Sequence, residues 1–392
     1  MAAVAIVAVV ATAAALIWWT SDARATISRP ATGPAPSPRL AREVPASLKH
    51  LSTAPNAPTD QPVVVAGTVV TADGRAVHGR DPVTGQVRWS YSRSSDLCGV
   101  AGVYRFAVAV YRDDRGCGQV STLEGPTGSR GPARSSYADQ RITLSSDGTT
   151  VLSAGDTRLE MWRSDMVRML SYGETDARVK PSSKGLHTGC RLTSAAASSS
   201  AVSVLEACGR QADLRLKLLR PGKEEDEPDQ RDVPEPGINV DSGARVLTVA
   251  ETRTAVYLPV PQPRVDVVDE TGSTVASTLL PKPPAAASAI TRPGNLITWW
   301  TGDTVMVFDA THLTYRYSIT PAGSSVPVGP GTMMAGKLLV PVTDGIAVCD
   351  PQTGVGEGFL PVHRTPQSAA VIPVVAGSRV LEQRGDTLVA LG

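Results

Sequence analysis

Five cysteines, Cys98, Cys117, Cys190, Cys208 and Cys349, are the most reactive side chains in this sequence. Cys98 and Cys117 are 19 residues apart, and Cys190 and Cys208 are 18 apart. Each pair brackets a strand-like run (Val100 to Tyr111; Leu192 to Glu206), and each second cysteine precedes a glycine, Gly118 or Gly209. The matched spacing points to two equivalent disulfides, Cys98–Cys117 and Cys190–Cys208, each pinning a hairpin and each giving about 3 kcal/mol in the chain-entropy account. The rival is a four-thiolate zinc site, which normally uses a short Cys-x2–4-Cys spacing that this chain lacks. Cys349, left over in an apolar run, reads as a buried, inert thiol. Disulfides imply an oxidising compartment and hence export.

Other catalytic groups do not converge. His50, His78, His187, His312 and His363 are each at least 28 residues apart, and no His-x-x-x-His, Gly-x-Ser-x-Gly or phosphate-loop pattern occurs. An acidic run with seven carboxylates over residues 224–235 is broken by prolines. It lacks the glycine and alternating ligands of a calcium loop, so it reads as a solvated insertion between repeats. The adjacent Trp299 and Trp300 read as packing, with one of the two free to face outward because neighbouring strand residues point to opposite sides. With 38 basic and 37 acidic residues, the chain has no electrostatic footprint for nucleic acid. No catalytic, metal or cofactor-binding residue is expected.

The elements that hold these residues repeat. A strand-like run from Val63 to Val70 leads through Gly74–Val77 to Asp81-Pro82-Val83-Thr84-Gly85 and then Val87-Arg88-Trp89. The same order returns from Ala335 through Cys349 to Asp350-Pro351-Gln352-Thr353-Gly354. Weaker copies end at Asp309 and at Asp269-Glu270-Thr271-Gly272. In each, the Asp carboxylate and Thr hydroxyl can accept backbone N–H groups two or three residues on, and Gly85 or Gly354 takes a positive φ. These acids are therefore read as turn formers. Leading signatures fall near Gly67, Gly102, Gly148, Ala197, Gly243, Gly294, Gly336 and Gly377, giving eight units, with seven as the alternative count. The last unit stops at Gly392 without an outer strand, and Ala46 to Leu51 looks like an orphan outer strand. Pairing the two would close a ring and remove a free sheet edge.

The run from Asp81 to Trp89 resembles the repeat of the pyrroloquinoline-quinone-like β-propellers, in which the Trp closes a blade's outer strands. The resemblance covers residues 47–392, strongly at 62–93 and 328–392. It implies an all-β chain with a single propeller and gives Trp89 the role of blade tryptophan. The layout also resembles actinobacterial Ala/Val-rich, membrane-anchored envelope proteins that carry such a propeller. Quinoprotein dehydrogenases of this fold set an adjacent Cys-Cys pair over their cofactor, and no two cysteines are neighbours here.

Residues Ala2 to Trp19 form an unbroken apolar run. Eighteen helical residues span about 27 Å, enough for a bilayer core, and Trp18 and Trp19 suit its interface. A cleaved signal peptide ending at Ala23-Arg24-Ala25 is the alternative. Nothing basic precedes the run while Arg24, Arg29, Arg39 and Arg42 follow it, which by the positive-inside rule would leave the body inside the cell. The cysteines argue for the opposite orientation, and an additional basic leader upstream would reconcile the two. Residues 20–46 are rich in Pro and Ala and read as a polyproline-type tether reaching up to about 80 Å. The expected organisation is thus an anchor or signal at 1–19, a tether at 20–46 and a propeller at 47–392.

Two functions follow from this organisation. One is a single-pass plasma-membrane protein whose extracytoplasmic propeller is a non-catalytic scaffold for unidentified envelope proteins or polymers. The other is a quinone-cofactor dehydrogenase or small-ligand sensor using the central channel.

Overall fold

Runs such as Thr68–Asp73 are apolar or small on both faces, and all but the last residue is buried. Such a run suits a strand covered by neighbouring sheets on both sides. Outermost strands such as Thr274–Leu279 are mostly exposed. The computed structural model, which describes residues 2–57, 59, 61–175, 189–209, 213–365 and 369–392, arranges these runs as an eight-bladed β-propeller. His187 and Pro58 lie outside the described residues.

Every blade is an antiparallel sheet of four strands, with a fifth added to the first. Blade 1 runs from Val63–Val65 to Val87–Ser92, and blade 2 from Leu97–Val103 to Arg130–Ser135. Blade 3 runs from Thr143–Ser146 to Arg168–Gly173, and blade 4 from Cys190–Ala197 to Glu227–Pro234. Blade 5 runs from Arg245–Ala250 to Thr274–Leu279, and blade 6 from Ala289–Thr291 to Tyr315–Ile319. Blade 7 runs from Thr332–Met334 to Gly356–Pro361, and blade 8 begins at Val371–Ala376. The core is a ring of apolar clusters at the seams: Trp89 and Tyr91 join Leu123 between blades 1 and 2, and Tyr257 meets Trp299 between blades 5 and 6.

Inner hairpins turn on the glycine signatures in most blades. Ala66-Gly67 and Ala335-Gly336 take φ of 45° and 78°, and 49° and 75°, the pair of positive values that a two-residue turn between right-twisted strands needs. Gly102 and Ala197 lie within the first strands of blades 2 and 4 instead, and Gly243 does not fit this pattern either. It precedes the inner strand of blade 5, whose turn instead uses Glu251 at φ 51°.

Blade 8 takes its outer strand from the other end of the chain. His50–Pro55 pairs antiparallel with Thr387–Leu391, and Lys49 exchanges backbone hydrogen bonds of 3.0 Å with Gly392. Just past this strand, Asn56 is fully buried. Its Oδ1 accepts the N–H of Ala72 in blade 1, and its Nδ2 donates to Gln383 Oε1 in blade 8 at 2.7 Å.

Two segments differ from their reading in the sequence. The acidic run is not an insertion between blades: Arg215–Glu224 and Glu227–Pro234 form the outer hairpin of blade 4, in one register from Arg215↔Pro234 to Arg220↔Asp229, with a bulge before Glu224↔Glu227. Its carboxylates are tolerated because the strand lies at the rim, where Lys217 reaches Asp232 at 2.5 Å and Arg168 pairs with Glu225. Much of the segment read as an extended tether lies on the disc. Ile27–Arg29 adds a fifth strand to blade 1 beside Val87–Ser92, and Ala31 and Ala35 donate to Thr127 O and Pro126 O of blade 2. Pro38 then crosses the inner turns at Gly67 and Gly377, and Ala41, Val44 and Leu48 pack on the core between blades 7 and 8. An extended, proline-rich chain has unpaired backbone groups of its own, and an open sheet edge supplies partners for them.

Candidate functional site

The aspartate turns are built alike. Asp81 Oδ1 accepts the N–H groups of Val83 and Thr84, both at 2.9 Å, and the Thr84 hydroxyl at 3.2 Å. Gly85 N–H closes the turn onto Asp81 O. Asp350 repeats this with Gln352, Thr353 and Gly354, again with both N–H contacts at 2.9 Å. Asp269 accepts the N–H groups of Thr271 and Ser273, with Gly272 closing onto its carbonyl. Asp309 accepts those of Thr311 and His312 and pairs with Arg316 at 2.9 Å. The His312 and Thr311 N–H groups and Arg316 pull its pKa down to about 2. Thr353's N–H and hydroxyl likewise lower that of Asp350. All four carboxylates bind their own turns through Oδ1, and because each turn joins the third and fourth strands of a blade they lie on the same face of the disc.

Trp89 is buried, and its Nε1 donates to Gly125 O of blade 2 at 2.7 Å. Its ring fills the space beside Gly79 and Gly128, where a Cβ would run into the indole. It therefore rivets blade 1 to blade 2 as well as covering its own outer strands. Trp299 and Trp300 are both buried, since the second strand of a blade is flanked on both faces, and Trp300 Nε1 donates to Pro327 O. Neither faces outward.

Both cysteine pairs are bridged on the face opposite the aspartate turns, but not equivalently: Cys190–Cys208 closes the hairpin of the first two strands of blade 4, whereas Cys98–Cys117 ties the first strand of blade 2 to its third. The Cys190 and Cys208 sulfurs and a Glu206 oxygen lie within 4.8 Å of one another. That grouping does not fit a metal, because disulfide sulfurs are not thiolates and Glu206 already accepts the Tyr172 hydroxyl at 2.7 Å. Burial, with Glu357 nearby, pushes the Cys349 thiol up to about 11 and keeps it protonated at neutral pH.

Sequence reasoning missed three buried glutamates at blade seams. Glu160 in blade 3 bonds Arg158 at 2.6 Å, Arg168 at 3.0 Å and Trp162 Nε1 at 2.8 Å, and pairs with Arg134 of blade 2 at 3.3 Å. Burial alone would raise its pKa, yet the guanidiniums of Arg158, Arg134 and Arg168 hold it below the usual value. Glu206 in blade 4 faces Tyr172 of blade 3 and lies 3.8 Å from Lys217. Glu382 in blade 8 takes Arg364 in a fork of 3.0 and 2.5 Å, and Arg384 at 2.6 Å. Arg364 also donates to Val342 O and Gly345 O of blade 7. The signal was present as a lone acid inside an apolar run: Leu159-Glu160-Met161, Leu205-Glu206-Ala207 and Leu381-Glu382.

The channel side of blades 8, 1, 2 and 3 encloses a cavity of about 480 Å³ lined by Val64, Gly102, Thr143, Ser145 and Val374 among others. Among the described residues no charged side chain lines it. The site geometry thus places ionisable groups in turns and seams, and leaves this part of the channel neutral.

No sequence-family model matches the chain, and no curated protein sequence matches it. Solved structures do. The computationally designed Ika8 protein matches with a TM-score of 0.52 and 14% identity, covering 91% of this chain and 99% of its own. The dihydro-heme d1 dehydrogenase NirN matches with a TM-score of 0.52 and 12% identity, covering 87% and 78%. BamB from Moraxella catarrhalis is 15% identical with a TM-score of 0.49, covering 88% and 99%. The apolar N-terminal helix, anchor or signal, together with the two disulfides indicates an extracytoplasmic location. At such identities likeness extends to architecture only, and the chain is an eight-bladed β-propeller.

Proposed function

We propose that the protein is a single-pass plasma-membrane protein whose extracytoplasmic propeller is a non-catalytic interaction scaffold of the cell envelope. The observation that carries this reading is the continuity of the chain from the apolar helix into the disc. Ala2–Thr20 is followed after Thr26 by a strand hydrogen-bonded into blade 1, so a partner of the disc is held at the membrane. The bound carboxylates of the turns and seams support a structural use of charge, and the disulfides stiffen the face that carries the longer connections between blades.

Cross-linking in native membranes, read by mass spectrometry, tests the proposal. The expected result is a reproducible set of links from the connection spanning residues 320–331 to one envelope component, lost when that connection is shortened. Titration of the purified protein with pyrroloquinoline quinone and calcium is the opposing test. A bound-cofactor absorbance band with turnover of an alcohol would overturn the scaffold reading in favour of a dehydrogenase.

A further inference from the structure

The link between helix and disc brings one part of the rim near the bilayer. Six residues, Ser21–Thr26, separate the helix from Ile27–Arg29. Fully extended they would reach about 20 Å. Asp22–Ala25 form a helical turn, so the reach is shorter.

Thr26 itself lines a groove of about 410 Å³ between the outer strands of blades 1 and 2. Arg93, Arg130 and Arg134 line it with Tyr91, Gln119 and Ser135, and among the described residues no carboxylate does. The Arg130 side chain is exposed and its guanidinium lies 5.9 Å from the centre of the Tyr91 ring. Arg93 lies 5.4 Å from that of Tyr111. The Tyr91 face holds the Arg130 guanidinium in position while its edge stays directed at an acceptor, and Arg93 adds positive charge to the same groove. Arg134 has a different task, since Glu160 and Met166 O already bind it.

We propose that this groove holds the phosphate of an anionic membrane lipid headgroup. Charge complementarity identifies the ligand class, and the short link identifies the source: a basic groove this close to a spanning helix lies within reach of headgroups. The inference rests on the anchor reading of the helix, so its test separates the two.

The full chain, purified in detergent, is titrated with short-chain phosphatidylglycerol, short-chain phosphatidylcholine and inorganic phosphate. Phosphatidylglycerol is expected to bind more tightly than either of the others. Arg130→Gln should weaken it about fivefold and Arg130→Glu further, at unchanged melting temperature. Both substitutions fall at an exposed position, so neither disturbs the packing of the blade. Equal binding of phosphatidylglycerol by wild type and variants would overturn the proposal, because the lipid would then sit elsewhere, as on the helix. Equal affinity for phosphatidylcholine, or for inorganic phosphate, would overturn it as well. The intact mass of the native chain reports on the anchor separately. A chain beginning at Thr26 that still selects phosphatidylglycerol through these arginines would leave the groove assigned and remove the anchor.

Discussion

Replacing Asn56 by Ala attacks the point where the two chain ends meet. The Asn56 side chain bonds both Ala72 N–H at 2.9 Å in blade 1 and Gln383 Oε1 at 2.7 Å in blade 8. Its own backbone is held independently, by Asp386 O and by Gln383 Nε2. The substitution therefore leaves the strand in place and strips two buried groups of their partners. Each unmet group costs about 1–3 kcal/mol, and the vacated amide volume can admit a water that lowers the cost, so about 2–4 kcal/mol is expected in sum. With an unfolding entropy of ~2.1 cal/mol/K per residue over roughly 340 propeller residues, this shifts the midpoint by about 3–6 °C. Thermal melts of the detergent-solubilised full chain, followed by tryptophan fluorescence, measure it. Gln383→Ala should show a comparable loss, and the double variant should fall short of additivity by more than about 0.5 kcal/mol because the two share a bond. An Asn56→Ala melt within about 1 °C of wild type would refute the idea that this contact fastens the closure.

The remaining expectations concern turns, bridges and protons. Asp350→Ala should lower the melting temperature without changing any ligand affinity, as should Asp81→Ala, and the two effects should add because the turns lie on different blades; lost ligand binding at constant stability would identify a binding carboxylate instead. Removing the Cys98–Cys117 bridge by double Ala substitution should cost about 3 kcal/mol in a denaturant series, and peptide mapping that recovers Cys98 linked to Cys190 would contradict the assignment. Glu235 is pushed up to about 7 by burial and by Asp266, so between its unfolded value of 4.5 and about 7 the folded state holds a proton that the unfolded state releases. Stability should thus fall as pH rises through that window, and Glu235→Gln should flatten the slope; a slope unchanged in the variant would assign it to another group. N-terminal mapping of the membrane fraction should recover Trp18 and Trp19, whereas a mature start at Thr26 would mean cleavage.

What could be read from the sequence was local. Aspartate turns at Asp81 and Asp350 complete their hydrogen bonds within five residues, so their side chains announce them. Doubly buried strands such as Thr68–Asp73 show as continuous small apolar runs, and the cysteine intervals gave the right pairings although one bridge spans a hairpin and the other joins a first strand to a third. Contacts across seams were not legible in that way. Asn56 and Gln383 are 327 positions apart, and nothing near either residue names the other. Outermost strands failed for a different reason: Glu227–Pro234 faces solvent on most of its length, so it carries no apolar alternation and reads as a loop. Ile27–Arg29 is recruited through its backbone to the edge of blade 1, and backbone pairing leaves no periodic trace in three residues.

One stretch of chain joins three roles that the sequence had kept apart. From Ile27 to Asn56 it edges blade 1, crosses the inner turns at Gly67 and Gly377, packs Ala41, Val44 and Leu48 on the core of blades 7 and 8, and supplies the closing strand. A free tether would let the disc tumble about the helix. A docked one fixes which sector of the rim the helix leaves from, because the exit lies at Ile27 beside Ser92. Pull on the helix is then carried along the strap before it reaches the closing strand, and the contacts at blade 1 must yield first. Attachment and closure therefore depend on one another through this stretch: loosening Ile27–Arg29 exposes the outer edge of blade 1, while loosening His50–Pro55 opens the ring.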